Sequence, residues 1–310
     1  MITLKKKIIF SCIGMFLGLL VLFSFKGWGS YFDLKSRCSR LEKRKIGWKI
    51  LDGQMREAAY GFTGEVGIFI EDLTSRWQIG INQDRLFPSA SLVKIPIMAA
   101  CFYAANEGKL KLNEVLIFKA QDKSLGSGKL KEALVGTRLS VNKLIELMVS
   151  ESDNTAANML IECLGFDYLN SCFKKLGLKD TNICREMMDF KSRKEGRENF
   201  TTVSDLVSLL ERIYHGRLIN KSYSGMCLEY LKKQKIRDRI PAKLPPDTEI
   251  AHKTGLERGL CHDVGIVFVP GGDFLICVLT KHHHKTAKLA KEFIAQIALK
   301  TYNYYLNLLR

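Results

Sequence analysis

The 310-residue chain has no C-x-x-C pair among its nine cysteines, no zinc-finger spacing, no RNA-binding signature, no internal repeat and no low-complexity tract. Each absence closes a class. Cysteines without paired spacing leave no zinc ribbon and no dithiol redox motif. Acidic residues are also in short supply, 32 against 48 lysines and arginines, for a formal net charge of +16. That excess is scattered along the chain with no basic-aromatic stripe, which argues against a nucleic-acid partner and suits a cell-wall polymer or a membrane surface. What remains, 46% hydrophobic and 26% charged, is an ordinary globular composition able to bury one large core or two smaller ones.

A single long hydrophobic run exists, Ile8 to Phe25, preceded by Lys5, Lys6 and Lys7. Eighteen such residues are just enough to span a bilayer as a helix, and the lysines would stay inside by the positive-inside rule. Gly27-Trp28-Gly29 is a poor cleavage site, so residues 1–30 are expected to be an uncleaved signal anchor, with the body of the protein outside the cytoplasm. Secretion after cleavage is the alternative. Cys12 falls in this segment, and Cys101, Cys163 and Cys277 lie in apolar stretches where a small buried thiol fits. Disulfides among the remaining cysteines stay open.

Residues 31–47 read as a linker helix. The stretch "EVGIFIEDLTSRWQIGINQDRLF" then alternates around a polar turn, which predicts a hairpin. From Ser91 to about Leu218 the periodicity is helical, with Ser140 opening "VNKLIELMVS" and Thr202 or Ser204 opening "DLVSLLERIYHG". "TEIAHKTG" and "DVGIVFVPGGDFLICVLTKH" restore strands, and a last amphipathic helix from about Thr286 is expected to pack on the sheet. The order predicts an α/β (α+β) body over 48–310: a sheet part built from 48–88 and 225–310, and a helical part over 89–224.

Three short motifs carry chemistry. Ser91 and Lys94 sit three positions apart on one helical face, where a desolvated lysine can take the serine's proton. Ser152-Asp153-Asn154 and Lys253-Thr254-Gly255 follow in order. Together they form an acyl-transfer set. Ser91 is the nucleophile and Lys94 its base. Ser152 passes a proton to the leaving nitrogen, and Lys253 supplies positive potential. Asn154 offers an amide to the substrate side chain, Thr254 a hydroxyl to a carboxylate, and Gly255 room for the strand to approach the substrate. The backbone N–H groups of Ser91 and Leu256 are the expected oxyanion hole. No cofactor and no metal is required.

With these residues the chain resembles the serine β-lactamase and penicillin-binding superfamily, and is most similar to class A β-lactamases from about residue 48 to 308. That resemblance implies an antiparallel sheet flanked by helices, an all-helical region beside it, and a cleft between them. One departure stands out in "TNICREMMDFKSRKEGRENFTT". Where the family carries the Glu that activates the deacylating water, this chain has Met187, and Lys191 occupies a position the family fills with Asn. Arg185 fits the pattern. Glu186 is a candidate deacylation carboxylate only with a one-residue register shift, because neighbours in an extended loop face opposite sides. Asp189 is a second candidate.

Other residues have milder readings. His282, His283 and His284 look like a metal tract but fall at a strand-to-helix junction. His252 and His262 read as structural or cleft-lining, and Arg258 as able to meet a substrate carboxylate. Three functions follow in order: a β-lactam hydrolase working through acyl-Ser91, with deacylation in question; a penicillin-binding DD-peptidase-like enzyme acting on cell-wall peptide; and a non-catalytic wall-binding module. The intact Ser91, Lys94, Ser152 and Lys253 argue against the last. The protein is expected to act as a monomer, with the membrane as partner through its N-terminal segment.

Overall fold

The computed structural model describes residues 41–308. The proposed anchor, residues 8–25, lies outside them. Among the described residues no helix is long and apolar enough to cross a membrane. The chain divides into two compact units, residues 1–51 and 52–310. Helix α1 covers residues 41–61, so the helical character expected of the linker extends past residue 47.

The sheet has five antiparallel strands in the order β2-β1-β9-β8-β7: β1 (Gly64–Asp72), β2 (Gln78–Ile81), β7 (Ile250–Glu257), β8 (Leu260–Val267) and β9 (Phe274–His282). Both ends of the chain build it. β1 and β2 form the hairpin anticipated from their alternation, turned by Asp72, whose carboxylate accepts the backbone N–H groups of Thr74 and Ser75. All eight residues of β8 are buried, so both of its faces are covered. That is why β8 and β9 read as nearly continuous apolar runs. Helices α7 (Val203–Tyr214) and α9 (Lys288–Asn307) pack on β8 and β9, and α8 (Lys221–Lys232) packs on the edge strand β7. The molecule is a mixed α/β arrangement of antiparallel sheet and helices, in the element order the sequence predicts.

The helical part centres on α2 (Lys94–Asn106). Ten of its thirteen residues are buried, and it is surrounded by α3 (Val141–Ser150), α4 (Asn154–Leu164), α5 (Phe166–Lys175) and α8. A helix apolar all round belongs inside a core. Ser140 caps α3 by accepting Lys143 N–H, and Thr202 rather than Ser204 caps α7 by accepting Asp205 N–H. The stretch expected to be wholly helical, 89–224, also holds the ladder of β4 (Val115–Ile117) with β5 (Arg138–Ser140), and the strand β6 (Phe200–Thr201), which pairs with β3 (Phe87–Pro88) just before it. Strands of two or three residues are too short to impose a period on sequence. A short helix, α6 (Phe190–Lys194), completes the set.

Candidate active site

Ser91 sits in a 3-10 turn, Ala90–Val93, that runs directly into α2. Ala90 ahead of it holds φ +45°, a left-handed conformation costly for any residue with a Cβ. Ser91 faces a cavity of about 350 Å³, and Lys94, one turn on, is fully buried. Burial holds the Lys94 ammonium far below the ordinary lysine value, at about 7, against the opposing pull of the Asp153 carboxylate. Lys94 Nζ donates to the Ser152 carbonyl at 2.6 Å, to Asn154 Oδ1 at 2.6 Å and to Ser152 Oγ at 3.4 Å. The direct bond to Ser91 expected of its base is not among these. Such bonds often tighten only when substrate is in place.

Ser152 joins the two lysines. Its φ is +56°, a second strained residue at the site, and its Oγ accepts Lys253 Nζ at 2.9 Å. Lys253 is fully buried on β7, and its Nζ also donates to the Thr254 carbonyl at 2.8 Å. Burial pushes its ammonium down strongly, and the neighbouring cations Lys94 and Arg239 push the same way while Asp263 opposes them. Two amines whose proton affinities are both depressed, bridged by one hydroxyl, make a continuous proton-transfer path.

Asn154 carries this network to the cavity wall. Its Oδ1 accepts Lys94, its Nδ2 donates to the Leu125 carbonyl at 2.8 Å, and its side chain lines the cavity beside Ser91. The loop it touches can approach only because of two glycines. A Cβ on Gly126 would lie 2.7 Å from Asn154 Nδ2, and one on Gly128, at φ +97°, would lie 2.1 Å from Asp153 Oδ2. Asp153 caps α4 through Ala156 N–H and also accepts Leu130 N–H. These glycines and the capping role of Asp153 went unread in the sequence. The aspartate just before "NTAANML" carried the N-cap signal; the glycines carried none, since their partners are non-local.

The loop after α5 settles where each side chain of "REMMD" goes. Met187 N–H donates to Asn158 Oδ1 at 2.8 Å and the Met187 carbonyl accepts Asn158 Nδ2 at 3.2 Å, so α4 grips this residue by both backbone groups. Met187 and Met188 lie on the walls of both the Ser91 cavity and a neighbouring cavity of about 560 Å³, and Phe190 lines the first. Glu186 lines only the neighbouring cavity, with Asp122, Glu162 and Asp189. Burial and those three carboxylates raise its proton affinity. The structure thus does not bring Glu186 to Ser91, and the register-shifted alternative is not adopted. Asp189 is spent as the cap of α6, accepting Ser192 N–H and the Ser192 hydroxyl, which holds its carboxyl below the usual range. Arg185 is buried against Glu198 at 2.6 Å and also reaches Glu257.

In the third motif Leu256 and Arg258 line the cavity with Ser91, and Thr254 is buried beside Lys253 on β7. A Cβ on Gly255 would meet His262 at 3.2 Å and Leu92 at 3.3 Å. The glycine lets β7 close on the Ser91 turn. His262 is structural: its Nδ1 accepts Thr280 N–H, so its Nε2 donates to the Pro88 carbonyl at 2.9 Å, and burial lowers its proton affinity to about 4. His252 is buried on Asp263 at 2.9 Å. His282 ends β9 and stacks on His284. Arg239, buried next to the site with its Nε on Cys261 Sγ, adds positive potential that the sequence did not advertise. The seven described cysteines are all free, and Cys163, expected in the core, is exposed at the end of α4.

Comparisons place this geometry among known proteins. The profile of the Beta-lactamase enzyme family matches residues 51–305. β-Lactamase VEB-1 of Pseudomonas aeruginosa is 27% identical over 256 residues, 78% of this chain and 86% of that protein. The crystal structure of a β-lactamase from Sphaerobacter thermophilus superposes with a TM-score of 0.75 at 30% identity, over 83% of this chain and 97% of that one. PBP-A superposes with a TM-score of 0.76 at 28% identity, over 83% and 96%. A Leu-to-Glu variant of PBP-A, solved as its acyl-enzyme complex with penicillin G, gives 0.76 at 27%, over 84% and 97%.

Proposed function

Because the chain belongs to the β-lactamase enzyme family and is a serine β-lactamase-like hydrolase, we propose that it opens β-lactam rings through an acyl-Ser91 intermediate and releases the product slowly. The observation that carries the reading is the pairing of an assembled acylation network, Lys94–Ser152–Lys253 behind Ser91, with a thioether where the family's water-activating carboxylate would stand.

Ser91 Oγ attacks the lactam carbonyl while its proton passes to neutral Lys94. The oxyanion is held by the N–H groups of Ser91 and Leu256, both on the cavity wall. The C–N bond then breaks as Ser152 delivers a proton to the leaving nitrogen, and Lys253, 2.9 Å from Ser152 Oγ, favours that delivery. Asn154 presents an amide to the acyl side chain, and the Thr254 hydroxyl and exposed Arg258 meet the substrate carboxylate. Hydrolysis of the ester needs a general base beside it, and Met187 has none to offer.

Accumulation of the acyl-enzyme equally suits an enzyme that works on cell-wall peptide and is captured by β-lactams, and the likeness to PBP-A favours keeping that second reading. Intact-mass measurement after mixing with penicillin decides between them. Slow but complete return to the free mass supports hydrolysis; an adduct that persists supports the peptide enzyme; no adduct removes both. We further infer that the catalytic body lies outside the cytoplasm, tethered by residues 8–25. Recovery of most of the protein in soluble form with a new N-terminus near Ser30 would overturn that.

A further inference from the structure

The stretch 111–138 wraps the helical part as the β4–β5 ladder and its connecting loop. It exposes apolar side chains that nothing in the described residues covers. Val115 and Ile117 project from one side of β4, 42% and 46% exposed. Leu134 and Val135, 84% and 66% exposed, form the tight turn beside them, fixed by Thr137 N–H to the Leu134 carbonyl at 3.0 Å and by Gly136 N–H to the Phe118 carbonyl at 2.8 Å. These bonds hold the Leu134–Val135 tip against the end of β4, so the four side chains belong to one locally braced element.

Its charge is one-sided. Residues 111–138 contain six lysines and arginines against three acids, and one of the acids, Asp122, is buried with its carboxylate on Lys119 N–H. Lys119 and Lys111 flank β4 and Arg138 faces Ile117 across the ladder, all exposed. On the neighbouring helices two acids each hold a pair of lysines: Glu107 holds Lys109 and Lys175, and Glu146 holds Lys143 and Lys233.

We propose that this apolar tip with its ring of cations is a docking surface for an anionic lipid bilayer. Exposed Leu and Val at a turn gain by leaving water for acyl chains, and Lys and Arg beside them gain from lipid phosphates. A soluble polyanion would satisfy the cations and leave Leu134 and Val135 in water. A second copy would cover the apolar tip but oppose two surfaces of the same sign on a chain of net charge +16. Gly126 and Ser127, in the loop of the same stretch, line the Ser91 cavity, so docking would hold the cavity near the lipid surface. The surface acts independently of any anchor in residues 8–25.

The test uses the full chain in vesicles carrying a lipid with a photoreactive group on its acyl chain, with crosslinks mapped by mass spectrometry. In phosphatidylcholine containing about one-third phosphatidylglycerol, crosslinks are expected at Ile117, Leu134 or Val135. Their yield should fall about tenfold in pure phosphatidylcholine or at high salt, and by a similar factor in the double variant Leu134→Ser, Val135→Ser. Acylation by penicillin in detergent, unchanged in that variant, shows that it is folded. Absence of crosslinks in 111–138, equal yields in neutral and anionic vesicles, or protein–protein crosslinks replacing lipid ones there, would overturn the proposal.

Discussion

Acylation by this enzyme should fall steeply with acid, and the structure sets where. Lys94 must be neutral to accept the Ser91 proton, and its buried amine is held at about 7. The sign is fixed by that role: a base is lost as pH drops through its pKa. About nine-tenths of Lys94 is then neutral at about pH 8, one-tenth at about pH 6 and one-hundredth at about pH 5, so the second-order acylation rate should drop by roughly two orders of magnitude over that range. Lys253 is depressed too, and because the two amines share Ser152 the midpoint belongs to the pair. The assay is rapid quenching followed by intact mass, counting acyl-Ser91 against time at low penicillin concentration, where the free enzyme's titration is read. Penicillin's own carboxylate stays ionised throughout this range. A rate that is flat between about pH 8 and about pH 5 would refute the assignment of Lys94 as the base.

Ser91→Ala should abolish the penicillin adduct while leaving thermal unfolding nearly unchanged, measured by mass spectrometry and calorimetry on the same sample. Met187→Glu should shorten the life of the acyl-enzyme by about tenfold or more, as a general base would; an unchanged lifetime would mean that deacylation is limited elsewhere. Gly128→Ala forces a Cβ to within 2.1 Å of Asp153 Oδ2 at a φ of +97°, and should cost about 2–5 kcal/mol in denaturant unfolding. Asn158→Leu strips both partners from the Met187 backbone and should cost about 2–5 kcal/mol, with earlier proteolytic cleavage at residues 185–190 than elsewhere.

The parts of this molecule legible in sequence are those whose physics is local. A serine and lysine on one turn, an aspartate or serine opening a helix, and alternation in β1 and β2 each declare themselves within a few residues, and the structure joins Lys94, Ser152 and Lys253 in one network one turn from Ser91. What stayed hidden depends on partners far along the chain. Gly126 and Gly128 are needed because of Asn154 and Asp153, Gly255 because of Leu92 and His262, and Arg239 matters through its burial near Lys253. Cys163 looked apolar from its neighbours, yet it occupies the exposed last turn of α4.

The Met187 loop shows how the two kinds of information combine. Sequence shows a methionine where a carboxylate would serve and a glutamate one residue early, and alternation alone says that only one of them can face the nucleophile. The choice between them is made by Asn158, which lies on α4 five residues beyond Asp153 and binds the N–H and the carbonyl of Met187 together. Moving Glu186 into the cavity would require breaking both bonds and turning out the apolar side chains that pack beside Ser91, while Glu186 already lies among carboxylates that favour its neutral form. Asn158 therefore holds the loop in the register that keeps Glu186 away from Ser91, and the slow deacylation proposed above rests on the fold of α4 as much as on the identity of residue 187.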